Sequence, residues 1–302
     1  MRAIVTGGAG FIGSHVAEAL VARGDEVHVL DDLSSGKREN VPAGAELHVG
    51  DIRDPGTVFD AVRPELVFHL AAQASVSVSV ARPAFDAEVN VLGTVAVLEA
   101  ARAHGARLVF SSTGGAIYGE CDRPATEDWE RRPLSPYGTS KLAGEEYLAA
   151  WNRLHGTRHV ALRYGNVYGP RQDPHGEAGV VAIFLRAVID GRRPTIFGDG
   201  SQVRDYVYAG DVARATLGAT ALDGGVVNIA TGDATSVLDL VDAMRRATGR
   251  EIDPEHGPER LGDLQRSVLD PGLAASELGW RPEVSLEDGL RATWAAFTSA
   301  AV

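Results

Sequence analysis

The chain has little cysteine, no long apolar segment and no excess of positive charge. Cys121 is its one cysteine, so an internal disulfide cannot form, and no Cys/His spacing indicates a zinc site. No uninterrupted apolar run approaches the ~18–20 residues that span a bilayer. Met1 leads directly into a strand-like run without the pattern of a signal peptide. We therefore expect no disulfide, no bound metal, no membrane span and a cytoplasmic location.

The charge balance also excludes classes of partner. The formal net charge is -12 and no basic stripe is present, which argues against binding to nucleic acid or to an anionic membrane. With 302 residues, 44% of them hydrophobic and 23% charged, the chain can bury a substantial core. An acidic chain can still bind phosphate where a few Arg side chains and helix N-termini surround the ligand.

The first half alternates short apolar runs with longer helix-like stretches. The runs are continuous, which is typical of parallel strands covered on both faces. This pattern predicts an α/β fold with a doubly wound parallel Rossmann sheet. The predicted strands are residues 2–6, 26–30, 46–49, 66–70 and 107–111, and the predicted helices are 13–23, 57–63 and 83–104.

Beyond about residue 165, glycine, proline and charged residues become frequent, and the alternation of strands and helices becomes less regular. We predict a Rossmann domain over 1–165 and a smaller, irregular α/β lobe over 166–302, with the segment near 204–230 able to pack back on the sheet. The predicted helices of this lobe are 180–190, 211–222, 236–248 and 286–299.

Residues 75–80 alternate serine and valine, as a half-buried strand would. They begin only a few residues after the strand that ends near residue 70, and Pro83 follows closely. We therefore predict a loop that leads into a helix.

A glycine-rich turn follows the first strand and opens a helix. Gly7, Gly10 and Gly13 permit a tight turn, close backbone approach to a pyrophosphate and close helix–strand packing. The unpaired N–H groups at the start of the following helix favour phosphate. The strand before the turn and the helix after it are the context that a dinucleotide site requires.

Acidic residues end the second and third strands. A carboxylate of Asp31 or Asp32 can accept hydrogen bonds from ribose hydroxyls and would repel a 2′-phosphate, which favours NAD over NADP. The alternative is that the carboxylate lies in a loop and faces water. This alternative is less favoured than ribose binding for Asp31 and equally favoured for Asp32. Asp51 and Ile52 are placed to meet an adenine edge, with a simple turn as the rival interpretation.

Tyr137 and Lys141 lie four residues apart, so on a helix both side chains share one face. A free phenol has a pKa near ~10 and is a poor base at neutral pH, whereas a nearby cation favours the phenolate. By itself the pair more often marks a solvated helix face. Together with a dinucleotide site it predicts proton transfer.

Many short segments match one superfamily in order along nearly the whole chain. They are residues 6–13, 30–31, 51–52, 69–72, 90–94, 111–113, 135–137 with Lys141, 162–166, 197–198, 203–206 and 260–264. Through them the chain resembles the extended short-chain dehydrogenase/reductase superfamily and, within it, is similar to the bacterial UDP-glucose 4-epimerases.

The resemblance implies a catalytic group of Thr113, Tyr137 and Lys141. Tyr137 would take the proton from the sugar 4-hydroxyl, Thr113 would orient the 4-oxygen, and Lys141 would bind the nicotinamide ribose and help a positively charged ring lower the tyrosine pKa. The 4-keto sugar would then be reduced on its other face, so NAD would stay bound between turnovers. A homodimer paired through helices near 83–104 and 137–155 is implied as well.

One departure leaves the hydroxyl position open. The family usually has three residues between the hydroxyl residue and the next Tyr-Gly, whereas four separate Thr113 from Tyr118. Counting back from Tyr118 selects Gly114, which has no hydroxyl; we choose Thr113 because the strand fixes it. The carboxylates that dehydratases and decarboxylases carry directly after this residue are replaced by Gly114 and Gly115.

The resemblance assigns further positions. The remaining implied NAD contacts, with Tyr137 and Lys141, are Gly7, Gly10, Phe11, Ile12, Gly13, Asp31, Asp32, Leu33, Ser35, Gly36, Asp51, Ile52, Leu70, Ala71, Ala72, Gln73, Asn90, Ser111 and Tyr164. The implied UDP-sugar contacts, with Thr113, are Asn166, Gly179, Val180, Thr195, Phe197, Arg204, Arg260, Asp263 and Ser267.

Ser267 bears on substrate breadth. Family members restricted to glucose and galactose tend to carry a bulky Tyr there, so a serine would leave room for an N-acetyl group at C2. His69 could suggest a general base, but a packed histidine satisfied by backbone is the stronger interpretation.

The predicted function is reversible C4 epimerisation of UDP-glucose and UDP-galactose, with UDP-GlcNAc and UDP-GalNAc as further substrates. The alternatives are another NAD-dependent enzyme of the superfamily, such as a nucleotide-sugar reductase or an epimerase of UDP-glucuronate, and a non-catalytic NAD-sensing regulator. Retention of Thr113, Tyr137 and Lys141 argues against a regulator.

Overall fold

The computed structural model describes residues 1–174, 179–259 and 264–299. Its strands are β1 (Arg2–Thr6), β2 (Glu26–Asp31), β3 (Ala45–Val49), β4 (Leu66–His69), β5 (Arg107–Thr113), β6 (Val160–Tyr164), β7 (Asn166–Tyr168), β8 (Thr195–Phe197), β9 (Val203–Arg204), β10 (Tyr206–Tyr208), β11 (Gly225–Ile229), β12 (Thr235–Ser236), β13 (Glu255–Gly257) and β14 (Arg266–Ser267).

The α-helices lie between these strands or follow the last of them, with 3₁₀ turns at Arg38–Asn40 and Ala219–Ala221. None of the helices in the described residues is both long and apolar enough to cross a membrane. They are α1 (Phe11–Arg23), α2 (Gly56–Val62), α3 (Val76–Ala81), α4 (Pro83–Ala87), α5 (Gly93–Ala103), α6 (Gly114–Ile117), α7 (Pro136–His155), α8 (Val180–Ile189), α9 (Ala209–Gly218), α10 (Val237–Thr248), α11 (Gly272–Glu277) and α12 (Leu286–Ser299).

A parallel sheet of seven strands forms the centre of the described chain. Its order is β11-β6-β5-β4-β1-β2-β3, and every neighbouring pair is parallel. The chain order reverses between β1 and β4, and ligands of doubly wound sheets bind in the crevice at such a point. The predicted fold class is confirmed.

The continuous apolar strands supply side chains to both faces of the sheet. On β1, Val5 packs on the side of α1 and α9, whereas Ile4 points to the opposite side, with α2, α5 and α7. Residues 3–6 of β1 are therefore buried on both faces of the sheet, which explains the unbroken hydrophobic run.

The second region has a separate apolar core. α8, α10 and α12 contribute the buried side chains Phe184, Leu185, Leu240, Met244 and Leu290 to one cluster. Around it lie three small sheets made of β7 with β10, β8 with β13, and β9 with β12 and β14. The strand β11 belongs instead to the central sheet, where it pairs with β6.

The segment with alternating serine and valine is a helix and not a strand. Ser75 caps α3, because its hydroxyl accepts a hydrogen bond from the N–H of Val78 at 3.0 Å. The predicted helix over 83–104 is present as α4, a π-helical turn at Glu88–Leu92 and α5. π-turns of this kind occur frequently at functional sites.

Candidate active site

In the glycine turn between β1 and α1, backbone atoms of the turn pack directly against one another. A Cβ added to Gly13 would lie 2.1 Å from the carbonyl oxygen of Gly7, so only glycine fits there. Gly7 has φ 71° and donates its N–H to Leu30 O at 2.8 Å, which ties the turn to β2. The first turn of α1 begins beside Gly10 and carries the N–H groups that favour a phosphate.

Asp31, at the end of β2, joins this turn to the next loop. Its carboxylate accepts hydrogen bonds from the N–H groups of Ala9 and Leu33, both at 2.9 Å. Burial of the carboxylate raises its pKa. Each carboxylate oxygen has a second lone pair, so Asp31 can also accept from a ligand hydroxyl.

The neighbouring acidic positions are more exposed. Asp32 accepts from the N–H and hydroxyl of Ser34, at 2.9 and 2.6 Å, and holds the loop that carries Ser35 and Gly36. Asp51 forms an ion pair with Arg53 at 2.5 Å, and the guanidinium lowers its pKa. Asp51, two residues after the end of β3, thus also stabilises a local turn.

The segment after β4 closes the other side of the crevice. Ala71 donates its N–H to Thr6 Oγ1 at 3.2 Å, and Leu70 donates to Thr6 O at 3.1 Å. Gln73 and Asn90 exchange two hydrogen bonds, with the Gln73 N–H donating to Asn90 Oδ1 at 2.9 Å and Asn90 Nδ2 donating to Gln73 O at 2.8 Å. The π-turn therefore fixes the loop after β4.

His69 is fully buried and interacts with two threonine hydroxyls. Its Nδ1 lies 2.7 Å from Thr6 Oγ1 and its Nε2 lies 3.0 Å from Thr94 Oγ1. Burial, with the charge of Lys141, lowers its pKa to about 3. The packed-histidine interpretation fits, with hydroxyl groups in place of the expected backbone partners.

Thr113 and Tyr137 meet at the end of β5. The four residues after Thr113 form the short helix α6, so the extra glycine is taken up in a helical turn. Both side chains line one cavity, and the Thr113 side chain opposes the rise in the pKa of the Tyr137 phenol. A Cβ on Gly114 would lie 2.2 Å from Leu269, so this position has no room for a side chain beside the site.

Lys141 lies one helical turn after Tyr137 on α7. Ser135 caps this helix by accepting from the Gly138 N–H at 3.2 Å. The Lys141 ammonium is buried, donates to Ser111 O at 2.9 Å and lies 4.8 Å from the ring centre of Phe110. Helix periodicity and capping thus bring the ammonium under the strand that carries Thr113.

The protein groups do not lower the pKa of Tyr137. Desolvation and the negative charge of Asp86 raise it to about 12, although the Thr113 side chain opposes them. Burial lowers the pKa of Lys141 to about 8, against the charges of Asp86 and Glu145. The prediction that Lys141 and a positively charged nicotinamide ring together depress the tyrosine pKa concerns the site with NAD bound, and it stays a prediction.

Asp86 is a buried charge that the sequence analysis missed. Its Oδ1 accepts from Gln73 Nε2 at 2.8 Å and from Asn90 Nδ2 at 3.0 Å, and its Oδ2 accepts from the Ser140 hydroxyl at 2.6 Å. The available signal was an acidic residue one helical turn before Asn90, on the same face of a predicted helix. Asp86 links α4, the π-turn and the helix that carries Tyr137.

A buried ion pair supports the strand behind Thr113. Arg163 Nη2 lies 2.6 Å from Glu145 Oε2, and Ser112 donates its hydroxyl to Glu145 Oε1 at 2.5 Å. Arg163 also donates to the Tyr118 hydroxyl at 2.6 Å. These bonds fasten β5, β6 and α7 to one another, and Tyr118 belongs to this support.

A cavity of ≈ 260 Å³ opens beside Thr113 and Tyr137. The Oδ1 atom of Asn166 is buried there and finds no hydrogen-bond partner within the described residues. Such an atom is costly unless a ligand satisfies it. The predicted site residues that line the cavity are Phe11, Ile12, Ser111, Thr113, Tyr137, Tyr164, Asn166, Gly179 and Val180, together with Ser112, Gly165, Val167, Tyr168, Gln172, Val181 and Tyr206.

The other predicted substrate positions lie on the small sheets. Arg204 and Ser267 are parallel partners on β9 and β14, and Ser267 is buried. Thr195 and Phe197 lie on β8, where the Thr195 hydroxyl donates to Glu255 at 2.9 Å. These four residues lie outside the described lining of the cavity. Arg260 and Asp263 fall outside the described residues.

Comparison with known proteins identifies the family to which this chain belongs. The NAD dependent epimerase/dehydratase family matches residues 3–230, which is more than half of the chain. The chain belongs to this family. Its resemblance to that family is therefore confirmed.

Individual relatives are similar over nearly their full length. A UDP-glucose 4-epimerase of Mycolicibacterium smegmatis is 47% identical, with 97% of each chain covered. The UDP-glucose 4-epimerase of Thermotoga maritima, solved with UDP-glucose, is 48% identical, with a TM-score of 0.97 and 100% of both chains covered. That of Thermus thermophilus, solved with NAD, is 50% identical, with a TM-score of 0.94, and covers 99% of this chain and 100% of that chain.

Proposed function

We propose that this protein catalyses reversible C4 epimerisation of UDP-glucose and UDP-galactose with NAD as its bound cofactor. The observation that carries the proposal is that Thr113 and Tyr137 line one cavity, with the Thr113 side chain close enough to act on the phenol. Gly114 and Gly115 follow Thr113 where elimination of water would need an acid or a base. The named functions of the relatives support the same reaction.

The residues of the crevice fit a dinucleotide without a 2′-phosphate. A Cβ on Gly10 would approach only Gly7 O, at 3.2 Å, so open space lies above this turn. Asp31 presents a buried carboxylate to the same space, where it would accept ribose hydroxyls and repel a phosphate. When bound, oxidised NAD supplies the oxidant for C4 of the sugar and a positive charge that favours a phenolate.

Tyr137 acts as the proton acceptor and later as the proton donor at the sugar 4-oxygen. Thr113 lines the same cavity as Tyr137, and its hydroxyl would orient the same sugar oxygen. Lys141 keeps a positive charge beneath the strand at neutral pH, since its pKa is about 8. The chain's own groups leave the phenol protonated, so Tyr137 becomes a base only in the loaded site.

The substrate side would be formed by the second region. Asn166 would contact the diphosphate sugar, whose hydroxyl groups can donate to its unsatisfied buried Oδ1, and Gly179 and Val180 line the same cavity. Arg204 and Arg260 suit the diphosphate because a guanidinium can make paired hydrogen bonds to phosphate. By resemblance, Asp263 would bind the uridine ribose, and Thr195 and Phe197 would lie beside uracil.

Two finer statements belong to the proposal. Ser267 leaves space for an N-acetyl group, so UDP-GlcNAc and UDP-GalNAc are substrates as well. A homodimer would form through α4, the π-turn, α5 and α7, where Leu92 of the π-turn and Tyr147 and Leu154 of α7 expose apolar surface. Galactose metabolism is the corresponding physiological setting.

The Tyr137→Phe variant tests the reaction directly. Removal of the proton acceptor should lower kcat by about 10³-fold or more, since general acid–base catalysis contributes about 10²–10⁴-fold, while NAD binding is retained. Tyr147→Phe, which removes an exposed phenol from the same helix, is the matched control and should epimerise normally.

The wild-type assay follows the C4 epimers of UDP-glucose, UDP-GlcNAc and UDP-glucuronate by NMR without added cofactor. Net NADH consumption with a reduced sugar would instead identify a reductase, and turnover of UDP-glucuronate alone would reassign the substrate. NAD binding without turnover of any sugar would indicate a regulator. Each of these results would overturn the proposed reaction.

A further inference from the structure

Two histidines and a glutamate meet at the edge of the central sheet, away from the cavity. His28 on β2 is the parallel partner of Glu46 on β3, and His48 lies two residues after Glu46. Residues two apart on a strand point to the same face. Within the part of the chain that the structure describes, these three form the one group of three such side chains whose donor atoms all lie within 4.8 Å of one another.

Their separations match those of metal ligands. His28 Nδ1 lies 3.0 Å from His48 Nε2 and 3.6 Å from Glu46 Oε2, and His48 Nε2 lies 3.8 Å from Glu46 Oε1. A tetrahedral zinc ion with bonds of about 2.0–2.1 Å separates its ligand atoms by roughly 3.3 Å. Side-chain movements of a few tenths of an ångström would therefore complete a three-ligand site.

A fourth residue orients the buried histidine. His28 Nε2 lies 3.2 Å from Glu26 Oε1, so its N–H donates to that carboxylate. This tautomer leaves a lone pair on Nδ1, the atom that faces His48 and Glu46. A carboxylate that fixes the ring of a ligand histidine is a recurrent feature of metal sites. His28 is 8% exposed, so its ring is also held by packing.

We propose that His28 Nδ1, His48 Nε2 and the Glu46 carboxylate bind one Zn²⁺, with water in the fourth position. On binding, the proton of His48 Nε2 moves through solvent to its own Nδ1, and both imidazoles stay neutral. The ion joins β2 to the edge strand β3, below the ends that carry Asp31 and Asp51. A zinc site is not expected from the sequence because no Cys/His spacing marks one, whereas these ligands come together only where β2 pairs with β3.

The test uses chelator-treated full-length protein and Zn²⁺ alone, so it does not depend on epimerase activity. Titration calorimetry should give one Zn²⁺ per chain, and the melting temperature should rise with Zn²⁺ concentration because the ion binds the folded sheet. Co²⁺ in place of Zn²⁺ should give the visible absorption of a tetrahedral site.

Four variants locate the ion. His48→Gln and Glu46→Gln, both at accessible side chains, should weaken Zn²⁺ binding by at least about tenfold, and Glu26→Gln by about 10–100-fold if it orients His28. His104→Gln removes another histidine that pairs with one carboxylate, Asp60, and should leave binding unchanged. No saturable binding in the wild type, or equal binding in His48→Gln, would show that the histidines form only a mutual hydrogen bond.

Discussion

The proposed reaction centre and the proposed nucleotide-sugar side of the site are built from different kinds of structure. Thr113, Tyr137 and Lys141 lie on a seven-residue strand and a 20-residue helix. Arg204 and Ser267 lie on two-residue strands that pair across more than sixty positions of sequence. Substitutions should therefore act on the chemical step in the first region and on substrate choice in the second.

Thr113→Val should have the largest effect of the substitutions that compare these two regions. It keeps the branched shape at the end of β5 and removes the hydroxyl from the cavity that Tyr137 also lines. Loss of one hydrogen bond to the sugar oxygen should lower kcat by about 10²–10³-fold with little change in KM. Thr220→Val, which removes a hydroxyl bonded to a helix carbonyl, should retain full activity. An unchanged kcat in Thr113→Val would remove Thr113 from the catalytic group.

The buried ammonium of Lys141 should make stability depend on pH. Its pKa is about 8 in the folded chain, against an ordinary value of 10.5. Between these values the unfolded chain holds a proton that the folded chain lacks, so stability rises as pH rises through that window. The gain corresponds to about 3 kcal/mol.

Urea unfolding at pH 7.5 to 10.5 (roughly the window over which Lys141 titrates) measures this gain. The rise should be absent in Lys141→Met and present in Lys37→Met, which replaces the chain's other lysine, an exposed one. Identical pH dependence in all three proteins would mean that Lys141 is not desolvated.

Ser267→Tyr probes the second region. A tyrosine at this buried position should obstruct the N-acetyl group, and steric crowding of this kind costs about 1–3 kcal/mol, or roughly 10–100-fold in rate. Turnover of UDP-GlcNAc should fall while that of UDP-glucose is spared, measured as kcat/KM for each sugar. Ser267→Ala is the control and should act on both. Loss of both activities in Ser267→Tyr would refute the steric argument.

Asp86→Asn should have the smallest effect and tests charge within the reaction centre. The carboxylate raises the pKa of both Tyr137 and Lys141. Its removal should lower the tyrosine pKa, so the rise of kcat with pH should move to lower pH, by up to about one unit, or 1.4 kcal/mol. Asp60→Asn, at an exposed helix position, should not shift the profile. A loss of kcat without any shift would make Asp86 purely structural.

The first half of the fold was predictable because its signals are local. Continuous apolar runs and the glycine turn each lie within a few residues, and they predicted the sheet, α1 and the end of β2. Helix capping at Ser75 overrode the alternating pattern, since hydroxyl-to-backbone bonds decide a short segment more strongly than periodicity.

The rest depends on contacts between distant parts of the chain. Strands as short as β9 and β14 have no periodicity of their own and exist only because they pair. The role of Asp86 arises where α4, the π-turn and α7 meet, and the high pKa of Tyr137 follows from burial that no spacing encodes. Tertiary packing, which motif positions do not describe, sets these properties.

The single thiol of the chain is buried close to the short helix that follows Thr113. Cys121 packs with Ile117, Tyr118 and Leu269, its Sγ lies 3.6 Å from Gly119 O, and burial raises its pKa. A thiol reagent can reach it only when this cluster separates. The rate at which a thiol reagent modifies Cys121 therefore measures how often this apolar cluster opens.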